Sequence, residues 1–161
     1  MSRELLALTV LQPFASAISS WGKTVENRTW LPGARLPVGC WLAIHAGKRD
    51  FQPGQDADAD AFAFRRWFST LVGNPVASGY LAALPHGAIV AVAQVAAFSD
   101  PAAKASPWAV PGMEQWRFGR VFALPEPVPC KGAQGLWKVP DDVAARVRAQ
   151  WAPFAPAPES P

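Results

Sequence analysis

Residues 8–16 have the sequence LTVLQPFAS, and residues 22–30 have the sequence GKTVENRTW. The first stretch predicts a strand that continues into a short helix, because Pro13 suits a first helical turn and apolar side chains follow it at helical spacing. Gly22 ends that helix, and residues 24–30 predict a second strand. The chain therefore begins with a strand, a helix and another strand in quick succession.

The second of these strands is polar in an unusual way. Side chains alternate between the two sides of a strand, so Thr24, Glu26, Arg28 and Trp30 share one face. A strand that buries one side normally carries apolar residues at alternate positions, and here only Val25 fits that pattern clearly. A hydroxyl, an acid, a base and a large aromatic on one face indicate a functional site.

The remaining sequence predicts further strands and two further helices. Strands are expected at residues 5–11, 40–46, 88–98, 116–124 and 136–139, and helices from the Asp-rich stretch to about residue 72 and at residues 141–151. Residues 99–112 contain three prolines and predict an extended loop. The proline-rich residues 125–130 predict an edge or irregular segment, because proline cannot donate to a β-ladder.

This order of elements predicts an α+β fold: a small mixed, mostly antiparallel β-barrel with peripheral helices. Parallel βαβ winding is disfavoured because the connections after Trp30 and around Trp116 lack crossover helices. Residues 1–151 are expected to form a single domain. Residues 152–161 are expected to form a flexible tail, because they are rich in proline.

The chain has 161 residues, half of them hydrophobic, which suffices for one domain with a real core. It contains no apolar run long enough to span a bilayer and no basic-then-apolar secretion signal at its start, so we expect a cytoplasmic protein without membrane partners. Cys40 and Cys130 have no metal-ligand spacing. We expect neither a metal nor a cofactor, and the sequence leaves the oligomeric state open.

The net charge of +3 is unevenly distributed. Residues 1–49 carry six lysines and arginines against two acids, and residues 101–140 carry five against two. If the two stretches meet in space, they form a positive patch that favours a polyanion or a phosphate-bearing ligand. The alternative is an ordinary solvated surface of mixed charge.

The sequence resembles the ASCH family, within the PUA-like superfamily, over most of residues 5–139. The motifs that carry the resemblance are LTVLQPFA at residues 8–15, GKTVENR at 22–28, IHA at 44–46, GAIVAV at 87–92 and KGAQGLW at 131–137. The resemblance implies a pseudo-barrel with a cleft beside the strand of residues 23–28, and a link to RNA. Some relatives bind nucleic acids, one branch hydrolyses the acetyl amide of N4-acetylated cytidine, and ribonuclease activity is ascribed to others.

Candidate ligand-binding residues follow from charge, aromatic character and position. We expect nucleic acid to be bound by Lys23, Glu26, Arg28, Trp30, Lys48, Ser106, Trp108 and Lys131. Each has a structural alternative. Glu26 could simply pair with Arg28 or Lys23, the tryptophans could be core residues, and Ser106 could cap its loop. Asn27, on the opposite face, is expected to cap backbone, and His45, in an apolar strand, is expected to be structural.

An enzymatic role depends on residues 22–24. The acylcytidine amidohydrolase branch resembles this chain there, but it uses a second threonine two positions after Thr24, where this chain has Glu26. A carboxylate in place of that hydroxyl weakens this hypothesis. If the protein is an enzyme, Lys23, Thr24 and Glu26 are its candidate catalytic residues. We therefore expect an RNA- or single-strand-binding domain that takes a base or nucleoside in its cleft. The alternative is a hydrolase that acts on a modified nucleoside or on RNA.

Overall fold

The computed structural model describes residues 4–52 and 82–154. Its strands are β1 (Leu6–Gln12), β2 (Val25–Arg28), β3 (Trp41–Asp50), β4 (Ala88–Phe98), β5 (Glu114–Pro129) and β6 (Leu136–Lys138). Its helices are α1 (Phe14–Ser20), α2 (Pro101–Ala105) and α3 (Asp141–Trp151), with short 3-10 turns at Gly33–Arg35 and Ala152–Phe154. The expected helix between the Asp-rich stretch and residue 72 lies outside the described residues.

The six strands form one mixed sheet in the order β2-β5-β4-β3-β1-β6. Only β1 and β3 pair in parallel, and the chain crosses between them through α1, β2 and the first 3-10 turn. The other four pairings are antiparallel. The predicted α+β class, with a mixed and mostly antiparallel sheet, is confirmed.

Closure of this sheet into a barrel is not shown by the described residues, so the barrel prediction needs correction. Strands β2 and β6 lie at opposite edges of the sheet. They contain four and three residues respectively, and strands so short have few backbone groups with which to close a barrel. The sheet is open.

One further prediction is corrected by a local contact, and another is confirmed. The expected loop at residues 99–112 contains the short helix α2, because the Asp100 side chain accepts a hydrogen bond from the Ala103 N–H at 2.8 Å and caps it. The proline-rich segment belongs to β5, which beyond Phe118 pairs with β4 alone, so this segment lies at an edge of the sheet as predicted. Ala152–Phe154 extend α3 by one turn, and the rest of the expected tail lies outside the described residues.

Alternation along β1 divides the core into two faces. Leu6, Leu8 and Val10 pack on one side with α1. Ala7 lies on the other side, where it belongs to a cluster with Trp137 of the neighbouring strand β6 and with apolar residues of α3. Thr9 and Leu11 continue this second face beyond Ala7, and both are only partly buried. The polar end of the second face forms the floor of the site described below.

None of the helices in the two described ranges is both long enough and apolar enough to cross a membrane.

Candidate nucleic-acid site

The floor of the site is a polar pair on two neighbouring strands. Thr9 on β1 and His45 on β3 are direct partners in the parallel ladder, so their side chains lie side by side on one face. Ala7 and Ala43 precede them on the same face, where the core is still apolar. The β3–β4 ladder shifts register between Ile44 and His45, an irregularity of the kind that often redirects a side chain at a site.

The hydrogen bonds of His45 determine its tautomer. Its Nε2 lies 2.8 Å from the backbone oxygen of Cys130, which can only accept, so Nε2 carries the proton. In the neutral ring Nδ1 is then an acceptor, and the Thr9 hydroxyl donates to it at 3.3 Å. Burial lowers the pKa of His45, although the bond to Cys130 opposes this shift. The ring is therefore neutral at pH 7.

Trp137 and Gly132 complete this polar floor. The indole N–H of Trp137 donates to the Thr9 hydroxyl at 3.1 Å, and its ring packs edge-on against His45. The backbone of Gly132 lies so close that a Cβ there would meet the His45 ring at 2.5 Å and the Thr9 hydroxyl at 2.8 Å. Only glycine fits this position, and it brings residues 131–135 against the end of the sheet.

The space between this floor and the surrounding chain is a cavity of about 620 Å³, which we call the cleft. Its lining residues are Thr9, Leu11, Arg28, Trp30, His45, Gly47, Lys48, Lys131, Gly132, Ala133, Gln134 and Gly135. Three of them are cations, and they come from β2, from β3 and from the segment after β5. Within the described ranges no carboxylate lines the cleft, so the side chains of its lining carry a net positive charge.

Arg28 links the cleft to the ion pair behind it. Its Nη2 donates to the backbone oxygen of Thr9 at 2.8 Å and lies 3.2 Å from the Glu26 carboxylate. Its Nε is buried and has no hydrogen-bond partner among the described residues. Arg28 also lines a second, smaller hollow of about 240 Å³, which shares Thr9, Leu11 and Trp30 with the cleft. The guanidinium thus stands where the two spaces meet.

Lys23 and Glu26 form a buried pair behind Arg28. Lys23 Nζ lies 2.7 Å from the Glu26 carboxylate and donates at 2.6 Å to the Val25 carbonyl. Burial alone would raise the pKa of Glu26, but the charges of Lys23 and Arg28 and their hydrogen bonds lower it overall. Glu26 is ionised at neutral pH and shared between two cations.

Asn27 points away from this pair, as its place in the alternation predicts, and it caps backbone as expected. Its amide donates to the carbonyl of Trp108 at 2.9 Å and accepts from the N–H of Val110 at 2.9 Å. The Trp108 ring packs against the core within 5.9 Å of Lys23 Nζ. Ser106 accepts from the N–H of Trp108 at 3.2 Å, the loop-capping role considered above. This loop braces β2 from behind.

The structure brings only part of the predicted site together. Arg28, Trp30, Lys48 and Lys131 meet at the cleft. Glu26 lines the neighbouring hollow. The cavities found among the described residues place none of the remaining candidates on their walls: Lys23 and Trp108 pack inward, Thr24 is exposed on the surface, and Ser106 caps its loop.

Sequence reasoning passed over two residues of the floor. Thr9 is not among the residues that the sequence predicts to bind a ligand, and His45 has the satisfied hydrogen bonds of the structural histidine expected, but both line the cleft. In the sequence, each is a polar residue in an otherwise apolar strand. Their positions side by side follow from the parallel register of β1 and β3.

Among residues 4–52 and 82–154, no group of three or more His, Cys, Asp and Glu side chains is arranged to hold a metal ion. The acidic residues Asp56, Asp58 and Asp60 lie outside the described residues.

Comparisons with known proteins show likeness in structure but not in sequence. No protein-family model matches this chain, and no curated protein matches it significantly. The crystal structure of ASCH from Zymomonas mobilis superposes with a TM-score of 0.55 at 13% identity, covering 92% of this chain and 96% of that one. Two variants of that protein also match.

The first variant has a tyrosine replaced by phenylalanine and gives a TM-score of 0.53 at 14% identity, covering 91% of this chain and 98% of its own. The second has a serine replaced by alanine and gives 0.51 at 15% identity, covering 91% and 96%. Likeness at such low identity concerns the fold alone. The chain has an ASCH-like fold, as its sequence motifs predict.

Proposed function

We propose that this ASCH-like chain binds single-stranded nucleic acid, with RNA preferred over DNA, and takes one nucleotide into the cleft. One observation carries the proposal: three cations and a tryptophan from separate parts of the chain line a single cavity without a carboxylate among its described lining residues. Clustered cations attract phosphates, and an aromatic wall offers a stacking surface for a base. A cavity of about 620 Å³ is in the range of small-molecule sites.

The phosphate contacts are assigned to Lys48 and Lys131. Both side chains are exposed, and neither forms an ion pair with any residue that the structure describes. Their ammonium groups are therefore available to a ligand. Arg28 contributes less net charge, because Glu26 lies beside it. Flexible exposed lysines that neutralise phosphates give affinity without sequence preference.

Trp30 is assigned the stacking contact. Its ring packs edge-on against Trp116, with centroids 5.0 Å apart at 85°. The indole N–H of Trp116 also donates to the Trp30 carbonyl at 3.1 Å, which fixes the backbone there. A half-buried ring held in this way loses little freedom when a base stacks on it.

The hydrolase alternative has less support. The amidohydrolase hypothesis needs Lys23 and Thr24 beside the bound nucleoside, but Lys23 is buried in an ion pair and Thr24 is exposed on the surface. No separate contact among the described residues favours it. It rests on the sequence resemblance at residues 22–24.

The test is a binding titration of a fluorescein-labelled single-stranded RNA of ten nucleotides, and of the matching DNA, followed by anisotropy at several salt concentrations. Each phosphate contact contributes a slope of about −0.7 to the dependence of log K on log salt for single strands. For wild type, with the two contacts assigned to Lys48 and Lys131, we expect a slope of about −1.4. A double variant, Lys48→Ala with Lys131→Ala, should bring the slope close to zero.

Lys138→Ala is the matched control, because this lysine is also exposed but its weak ion pairs lie with Glu4 and Asp141. It should leave both affinity and salt slope unchanged. Equal losses in the control and in the double variant would mean that general charge, and not the cleft, attracts the RNA. No measurable binding to either nucleic acid would refute the proposed function.

A further inference from the structure

The hydrogen-bonding capacity of the Thr9 hydroxyl is almost fully used. A threonine hydroxyl has one proton to donate and two lone pairs that accept. The proton is directed to His45 Nδ1, because Nε2 of that ring already carries its own proton toward Cys130. One lone pair accepts the indole N–H of Trp137. A single lone pair is left, and the partly exposed Thr9 lines the cleft.

Because His45 is buried and its ring orientation is fixed at both nitrogens, the hydroxyl cannot easily turn its proton toward a ligand. Turning would leave Nδ1 without a donor in the buried floor, a costly loss. Toward the cleft, Thr9 is therefore a fixed acceptor. A ligand group that reaches it must itself be a donor.

A donor stands next to this acceptor. The Arg28 guanidinium is anchored to the backbone oxygen of the same residue, Thr9, at 2.8 Å. Its Nη2 makes that bond and contacts Glu26, while Nη1 makes no hydrogen bond with any described residue. The floor of the cleft thus presents an acceptor, Thr9 Oγ1, beside a cationic donor, Arg28.

We infer that Thr9 and Arg28 select the base that enters the cleft, favouring one whose Watson–Crick edge carries an exocyclic amino group beside an unprotonated ring nitrogen, namely cytosine or adenine. The amino group donates to Thr9, and the ring nitrogen accepts from Arg28. Uracil and hypoxanthine present the reverse pattern, a keto oxygen beside a ring N–H. His45 is a positioning residue, because it acts only through Thr9. This inference rests on the proposed function.

The experiment compares nucleoside 5′-monophosphates by quenching of tryptophan fluorescence. Cytidine is paired with uridine, and adenosine with purine riboside, which lacks only the amino group. Wild type should bind the amino-bearing member of each pair about threefold to tenfold more tightly, the range expected for the net contribution of one hydrogen bond. Thr9→Val, which removes the hydroxyl at nearly constant shape, should abolish this preference.

Two controls accompany the variant. Thr9→Ser keeps the hydroxyl and should keep the preference. Thr24→Val makes the same substitution at an exposed threonine outside the cleft lining and should change nothing. Thermal unfolding of each variant reports its folding. If Thr9→Val does not fold, the adenosine and purine riboside pair still tests the inference on wild type.

Equal affinities within both pairs, or a preference that survives Thr9→Val, would overturn the inference. If salt-dependent RNA binding is then still lost in the Lys48→Ala, Lys131→Ala double variant, the proposed function stands and only the base selection is wrong. If neither nucleotides nor RNA bind, both are refuted.

Discussion

Lys23 and Glu26 form a buried ion pair in which Nζ and the carboxylate lie 2.7 Å apart, with only 1% and 6% of the two side chains exposed. The pair lies behind the cleft, and Arg28 joins it from the cleft side through the other carboxylate oxygen. The three charged side chains therefore form a continuous row that runs from the core to the cleft. Glu26 holds Arg28 in place, and Lys23 helps to keep Glu26 ionised.

Removal of Glu26 should destabilise the protein strongly. Glu26→Ala leaves the Lys23 ammonium buried without a counter-charge, and breaking a buried pair in this way typically costs about 3–5 kcal/mol. The free energy of unfolding by urea measures the loss. Glu126→Ala, at an exposed position, should stay within about 0.5 kcal/mol of wild type. From sequence alone, replacement of Lys23 or Glu26 is expected to affect binding and leave the melting temperature nearly unchanged. Because the pair is buried, we instead expect a large loss of stability. A small loss in Glu26→Ala would support the expectation from the sequence.

The same pair should make the protein sensitive to acid. The pKa of Glu26 in the folded state is below its ordinary value of 4.5, because Lys23 and Arg28 outweigh the effect of burial. A carboxyl with a lowered pKa contributes stability that is fully present above the unfolded value and is lost as pH falls through the folded value. The urea concentration at the midpoint of unfolding should therefore decrease as the pH is lowered below 4.5. In Glu26→Gln this dependence should be weaker, and an unchanged slope would assign acid sensitivity to other groups.

Features that depend on residues close together in the chain could be predicted from the sequence. The alternation in residues 24–30 places Asn27 opposite Glu26 and Arg28, and the cap made by Asn27 follows from that. Alternation cannot say which face is buried. The face that carries Glu26 and Arg28 is expected from its polarity to meet a ligand, but Glu26 is buried and pairs with Lys23.

The floor of the cleft depends on pairings across long stretches of sequence. Thr9 meets His45 because β1 and β3 pair in parallel, and Gly132 reaches both from the segment after β5. No local pattern near Thr9 contains that information. The cations Arg28, Lys48 and Lys131 could be predicted individually from charge, and the ASCH-like motifs indicated a cleft beside β2. Their convergence on one cavity is a property of the fold.

His45 should titrate below its ordinary pKa of 6.5, because burial disfavours the charged ring more than the bond to Cys130 favours it. The chain has only two histidines, so two ring signals are expected in an NMR titration, and His86→Gln assigns them. Because the unfolded chain binds more protons between the folded value and 6.5, stability should rise with pH across that window. A His45 signal that titrates above 6.5 would contradict both the neutral ring and the proton assignment at Thr9.

Gly132→Ala should move the wall of the cleft. An added Cβ would lie 2.5 Å from the His45 ring and 2.8 Å from the Thr9 hydroxyl, closer than atoms in proteins pack. Both neighbours are held by hydrogen bonds, so residues 131–135 must shift outward and carry Lys131 with them. We expect a destabilisation of about 1–3 kcal/mol and a loss of nucleotide affinity greater than stability alone explains.

Gly119→Ala is the matched control, because a Cβ there meets only the Ala96 side chain at 3.4 Å, an ordinary contact on an exposed part of β5. It should leave nucleotide affinity unchanged and stability within about 0.5 kcal/mol. Two measurements separate the loss of affinity from the loss of stability. Titration of each folded variant with cytidine 5′-monophosphate at low temperature measures affinity, and unfolding by urea measures stability. Unchanged affinity in Gly132→Ala would mean that the segment after β5 is not a wall of the binding site, and the ligand would then have to lie against Arg28 and Trp30 in the smaller hollow.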